Sequence, residues 1–175
     1  MSNPVLQNIL NRKSVRHFSD DKVTKEQIEI LLRAAMAAPS AKNVQPWAFV
    51  VVTERETLDL LADKLPYAKM LFRANAAIVV CGVPHKAGDG TPAGYWVQDC
   101  SAATQNILLA AESIGLGAVW TGVYPRPERV TVVADALNLP EDVIPLNVIP
   151  IGVPDGQEKP KDKYKAENVI WNKWQ

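Results

Sequence analysis

The chain has 175 residues, of which 47% are hydrophobic and 22% charged, and its formal net charge is +0. That length is close to the commonest size of a single domain, and the apolar fraction supports a packed core rather than disorder. The balanced charge argues against nucleic acid or an acidic membrane surface as the main partner.

Val5, Leu6, Ile9 and Leu10 repeat at helical spacing and run into a basic cluster, Arg12, Lys13, Ser14, Val15, Arg16, His17 and Phe18. Thr24 reads as an N-cap with Gln27 three residues on, as in a capping box. Ile28, Leu31, Leu32, Ala35 and Met36 then form one helical face, which Pro39 closes. Trp47 to Thr53 is β-rich, Thr57 to Leu65 suggests a short helix, and Ala76 to Gly82 reads as a buried strand. Pro84 to Gly94 is a glycine- and proline-broken loop. Tyr95 to Ile114 is the longest helical segment and is apolar on most sides, with Gly115 at its end. Ala118 to Val123 reads as a third strand, and Pro127 opens a helix burying Val130, Val133, Ala134 and Leu137. Val143 to Val153 alternates apolar residues with prolines, so a strand there is expected to be interrupted or at an edge. From Asp155 the chain turns charged and ends in Trp171 and Trp174, large rings that gain by covering a surface. The expected organisation is one domain, 1–154, with an arm, 155–175.

No basic segment followed by an apolar one opens the chain, no apolar run is long enough for a bilayer, and both cysteines sit in apolar surroundings. A reducing, cytoplasmic setting is the expectation.

Three stretches carry chemistry. Arg12, Lys13, Ser14 and Arg16 place three cations and a hydroxyl within five residues, a composition suited to gripping phosphate oxygens; alone, it also suits a solvated turn. Lys161 and Lys163 form a second cationic pair that could bracket the same phosphate. Between Pro39 and Pro46 lie Ser40, Lys42, Asn43 and Gln45, whose donors and acceptors suit the edge of a planar ring alternating N–H and C=O. Gly115-Leu116-Gly117 lacks the spacing of a dinucleotide fingerprint. His17 and His85 stand at no metal-ligand spacing to Cys81 or Cys100, and no triad or carboxylate pair is present, so a cofactor has to carry any chemistry.

N-R-K-S-V-R-H-F, then A-A-P-S-A-K-N-V-Q-P-W-A-F-V-V-V, then Asp99 to Trp120 ending A-E-S-I-G-L-G-A-V-W, then P-I-G-V-P with K-P-K-D-K-Y together resemble the FMN-dependent nitroreductase family over nearly the whole chain. The resemblance implies an α+β fold: a three-layer α/β/α sandwich on a mostly antiparallel sheet, with the C-terminal arm exchanged in a homodimer. It implies FMN ligands at Arg12, Lys13 (at least by its backbone), Ser14 and Arg16, and a phosphate pair at Lys161 and Lys163. Pro39, Ser40, Ala41 and Asn43, with Gln45, match a loop reaching the flavin across the dimer interface. Thr121 and Gly122 fall beside the flavin N5. No catalytic side chain is implied: the flavin N5 carries the chemistry, and Arg16, facing N1/O2, tunes it by electrostatics. Lys69 falls near a flavin-contacting stretch without a secure match. The loop 84–95, with Tyr95 or Trp96, is expected at the substrate mouth.

The implied activity is ping-pong reduction of nitroaromatics, quinones or other small electron-poor acceptors by NAD(P)H. The rivals are a non-catalytic FMN-binding or electron-transfer protein, and a specialised flavin reductase or dehalogenase on the same fold.

Overall fold

Asn3 caps α1 (Pro4–Asn11) by accepting from the N–H groups of Val5 and Leu6, with Pro4 in the first turn where its missing N–H leaves no bond unmade. The computed structural model describes residues 3–86, 94–156 and 158–174. Thr24 and Gln27 form the expected reciprocal capping box at the start of α2 (Lys25–Met36). Ile28, Leu31 and Ala35 of α2 are buried, whereas Met36 is exposed.

Four further helix and strand segments lead to the sheet: β1 (Trp47–Val52), α3 (Arg55–Lys64), β2 (Ala76–Gly82) and α4 (Tyr95–Ser113). They are followed by β3 (Gly117–Ala118), β4 (Thr121–Gly122), α5 (Pro127–Leu137) and β5 (Ile144–Gly152). The sheet runs β1-β2-β5-β3, with β4 also on β5, and every pairing is antiparallel. Alternation along β2 separates two cores. Ile78 and Val80 pack with Leu31 of α2 and Ile107 of α4. Ala77 and Val79 pack with Leu58 and Leu61 of α3 and Val133 of α5. The result is the expected three-layer α/β/α sandwich.

The proline argument for residues 143–153 fails. β5 is one unbroken strand at the centre of the sheet, with Pro145 opposite Cys81 and Pro150 opposite Ala77. The irregularity is divided between β5 and one side of its neighbours. Between Val80 and Cys81 the register on β5 steps from Asn147 to Pro145, so Leu146 is the extra residue and β5 bulges beside its first proline. β3 and β4 hold one register against β5 but part at Val119 and Trp120, across from Pro150 and Ile149. Pro150 brings no N–H to that ladder.

One more expectation changes. Trp96 does not line a mouth: it is buried, edge-on to Tyr124 at 4.9 Å, and occupies the space a Cβ on Gly82 would need. Tyr95 is partly exposed. Of the loop expected beside the substrate, residues 87–93 lie outside the described residues. Among the described residues no helix is long and apolar enough to cross a membrane.

Candidate functional site

The basic cluster is placed by the two apolar residues inside it. Val15 and Phe18 are both buried, and two glycines make room for them. A Cβ on Gly117 would stand 2.6 Å from Val15 Cγ1, and one on Gly152 2.7 Å from Phe18 Cδ1. The Val15 N–H donates to Ala118 O at 3.1 Å, and Phe18 bridges Pro154 in antiparallel fashion. Ser19 N–H donates to Val153 O and Asp155 N–H to His17 O. That short antiparallel seam carries the chain after β5 back past residues 16–19, and so brings residues 158–163 against residues 12–16.

The outcome is a cleft of about 310 Å³ lined by Arg12, Lys13, Ser14 and Arg16 on one side and Glu158, Lys159, Lys161 and Lys163 on the other. The two clusters that the sequence pointed to are thus brought together within one chain. Lys13 turns its ammonium to Glu112 at 3.1 Å. Among the described residues no carboxylate lies within ion-pair distance of Arg12, Arg16, Lys161 or Lys163. The cleft's one acid, Glu158, is engaged elsewhere: its Oε1 accepts from the Arg16 N–H at 2.9 Å and lies 2.8 Å from His17 Nδ1. Burial alone would raise the Glu158 carboxyl, but the Arg16 N–H, the His17 ring and its own backbone N–H outweigh that and hold it at about 2. A cleft with this excess of cations and a hydroxyl fits a phosphate, the anion that can use several donors at once.

Arg16 also lines a second cleft of about 330 Å³, with Pro66, Tyr67, Met70, the stretch Val119–Gly122 and Arg129. The two clefts therefore meet at Arg16, at the end where the sequence places Thr121 and Gly122. A Cβ added at Gly122 meets nothing within 4 Å, and its φ is not positive. Nothing in the chain's own packing requires glycine there. The open space over its Cα suits a flat group lying close against the backbone. Tyr67 holds a φ of 63° at the cleft rim, a left-handed value unusual for a bulky residue and common at functional sites. Lys69, between Tyr67 and Met70, points away: its Nζ lies 3.4 Å from Asp63 O and 5.5 Å from the Phe72 ring centre.

The loop from Pro39 to Pro46 stands apart. None of Pro39, Ser40, Ala41, Asn43 or Gln45 lines either cleft. It is built as a rigid unit: Ser40 Oγ accepts from the Gln45 N–H, Gln45 Nε2 donates to Asn43 Oδ1, and Lys42, Asn43 and Gln45 all have φ between 52° and 55°. Asp99 of α4 fastens it, accepting the Ala41 N–H at 3.0 Å on Oδ1 while its buried Oδ2 has no partner. A carboxylate that sits among the buried residues near the start of a long helix was a signal in the sequence that reading by motif passed over. Glu158, Tyr67, Met70, Trp120 and Arg129 were also missed. Glu158 had a visible cue, an acid at the edge of a basic run, and Tyr67 and Met70 bound the stretch around Lys69; Trp120 and Arg129 had none.

Cys81 and Cys100 are buried, and burial pushes both thiols up to about 12. They are poor nucleophiles there. Among the described residues no group of three or more His, Cys, Asp or Glu side chains could hold a metal ion.

A model of the family described as "Nitroreductase family" matches residues 9–66 and 58–153. A protein of Archaeoglobus fulgidus named as an NADH dehydrogenase/NAD(P)H nitroreductase is 43% identical over 172 residues, covering 97% of this chain and 98% of its own. A crystal structure of a like-named protein from Parabacteroides distasonis superposes with a TM-score of 0.93 at 51% identity, covering 99% of this chain and all of that one. A nitroreductase from Desulfovibrio desulfuricans, solved in complex with FMN, has a TM-score of 0.85 at 29% identity, with full coverage of both chains.

Proposed function

The chain belongs to the nitroreductase family, and on that premise we propose that it is an FMN-dependent NAD(P)H oxidoreductase that reduces nitroaromatics, quinones or similar electron-poor acceptors as a homodimer. The observation that carries this reading is the pair of clefts joined at Arg16: a cationic one suited to a phosphate, and one with open backbone suited to a planar ring. The FMN complex of the Desulfovibrio desulfuricans neighbour supports it.

Arg12, Ser14, Lys161 and Lys163 hold the phosphate by charge-assisted hydrogen bonds. Lys13 contributes its backbone, since its side chain is engaged with Glu112. Arg16, at the junction, places a cation beside the ring edge without exchanging a proton, because a guanidinium stays charged. Thr121 and Gly122 offer backbone at the ring's reactive middle. The loop with Pro39, Ser40, Ala41, Asn43 and Gln45 serves the partner's cleft rather than its own, which accounts for its absence from both clefts of one chain. FMN, when bound, would supply the two-electron chemistry between NAD(P)H and the acceptor. Donor and acceptor take turns on one face, since no separate nucleotide fingerprint is present.

Anaerobic mixing of the purified yellow protein with NADH or NADPH tests this. Prompt bleaching, followed by recovery on adding a nitroaromatic or quinone, is expected. Parallel double-reciprocal lines should accompany it. A protein that binds FMN without bleaching is the non-catalytic rival, and intersecting lines exclude the ping-pong scheme.

A further inference from the structure

Arg129, in the first turn of α5, lines the ring-end cleft with Arg16. Its Nη1 donates to Gly122 O at 3.1 Å, while its Nε is buried without a hydrogen-bond partner. The peptide after Gly122 is thus pinned on both sides, its carbonyl by Arg129 and its N–H, that of Val123, by Leu146 O at 3.1 Å. No Asp or Glu lines this cleft. Among the described residues no carboxylate lies within ion-pair distance of either arginine. Among the described residues the hydrogen-bond partner of the Arg129 side chain is the Gly122 carbonyl. Arg129 is partly buried, so solvent and salt screen it less than they would an exposed cation.

We propose that Arg129 is a second electrostatic positioning residue of the ring-end cleft: it fixes the Gly122 peptide and, with Arg16, raises the electron affinity of the planar cofactor held there. The inference rests on the FMN reading above. Two-electron reduction adds negative charge to the ring, and charge placed near a flavin ring is one of the means by which a protein tunes its electronics. A fixed cation in a site partly shielded from water acts on that charge more strongly than one in bulk solvent.

The test is the midpoint potential of bound FMN in wild type, R129K and R129Q, with FMN stoichiometry and thermal melting recorded for each. Both replacements keep a donor for the Gly122 carbonyl, but only lysine keeps the charge. R129Q is expected to shift the oxidised-to-reduced equilibrium about tenfold toward the oxidised form, a fall of about 30 mV for a two-electron couple. R129K is expected to stay within about twofold of wild type. Where R129Q does not fold, R129M, which keeps the apolar stem without the charge, takes its place under the same expectation. A wild-type potential in the neutral variant overturns the inference, and so does an R129K shift as large as that of R129Q. Failure of wild type to hold FMN overturns the functional reading together with the inference; bound FMN with an unmoved potential overturns the inference alone.

Discussion

Gly122 and Gly152 look alike in sequence and answer to different physics. Gly152 leaves room for the Phe18 ring, so a methyl there displaces a buried side chain worth about 1.5–3 kcal/mol of burial. Gly122 faces open space. Gly152→Ala should therefore lower the melting temperature of the apoprotein, whereas Gly122→Ala should leave it within error and weaken FMN binding; calorimetry and a fluorescence titration of both variants check this. The cations divide in a similar way. Arg12→Ala and the Lys161→Ala/Lys163→Ala pair should each weaken FMN by about 1.5–3 kcal/mol, or one to two decades of affinity. Riboflavin, which has no phosphate, should hardly respond to them. Arg16→Ala, at the junction of the clefts, should weaken both. Equal losses for FMN and riboflavin in all three variants would show that the clusters act through folding.

At the scale of elements, the seam between residues 16–19 and 153–158 matters most, and Glu158 closes it. Its carboxyl titrates at about 2 in the folded chain against an ordinary 4.5. The folded value is depressed, so the stabilisation is complete above about pH 4.5 and is lost as pH falls toward 2. Melting temperatures of wild type and Glu158→Gln, followed from pH 7 to pH 3, should differ most at the upper end and converge as the pH falls. A constant gap would mean that the carboxylate's charge is not what holds the seam. Elements of this kind show how far the sequence could be read. The capping box at Thr24, the buried strand at Ala76–Gly82 and the proline start of α5 follow from local rules, and each was legible. β5 was not, because two prolines count against a central strand unless a bulge beside one and a gap in the partner across from the other absorb the defect, and that is a property of pairing rather than of sequence. The site was legible where charge clusters within a few residues, at Arg12–Arg16 and Lys161–Lys163. It was illegible where side chains from Tyr67, Trp120 and Arg129 meet only after folding.

For the whole molecule, the apolar side chains left in solvent concentrate at the two ends of the chain. Val5, Leu6, Ile9 and Leu10 on α1 are exposed, and Trp171 and Trp174 are 83% and 84% exposed. Rings of that size each bury about 150–250 Å² when covered, which favours residues 155–175 as an arm lying on a partner subunit. Light scattering should give twice the chain mass. A chain ended after Lys163, keeping both phosphate lysines, should shift toward monomer and lose affinity for FMN through the missing partner loop. A truncated chain that remains dimeric would place the interface elsewhere.

The seam that joins residues 16–19 to 153–158 also sets an order of events during synthesis. A ribosome delivers Arg12 to Arg16 well before Lys161 and Lys163. Half of the cationic cleft therefore waits for the other half while the strands between them are made. The central strand that aligns the two halves is among the last segments to emerge, and contacts of such long range are slow to close. The complete cleft exists only once the sheet has assembled, so a group held by both halves fastens that sheet rather than guiding its early folding.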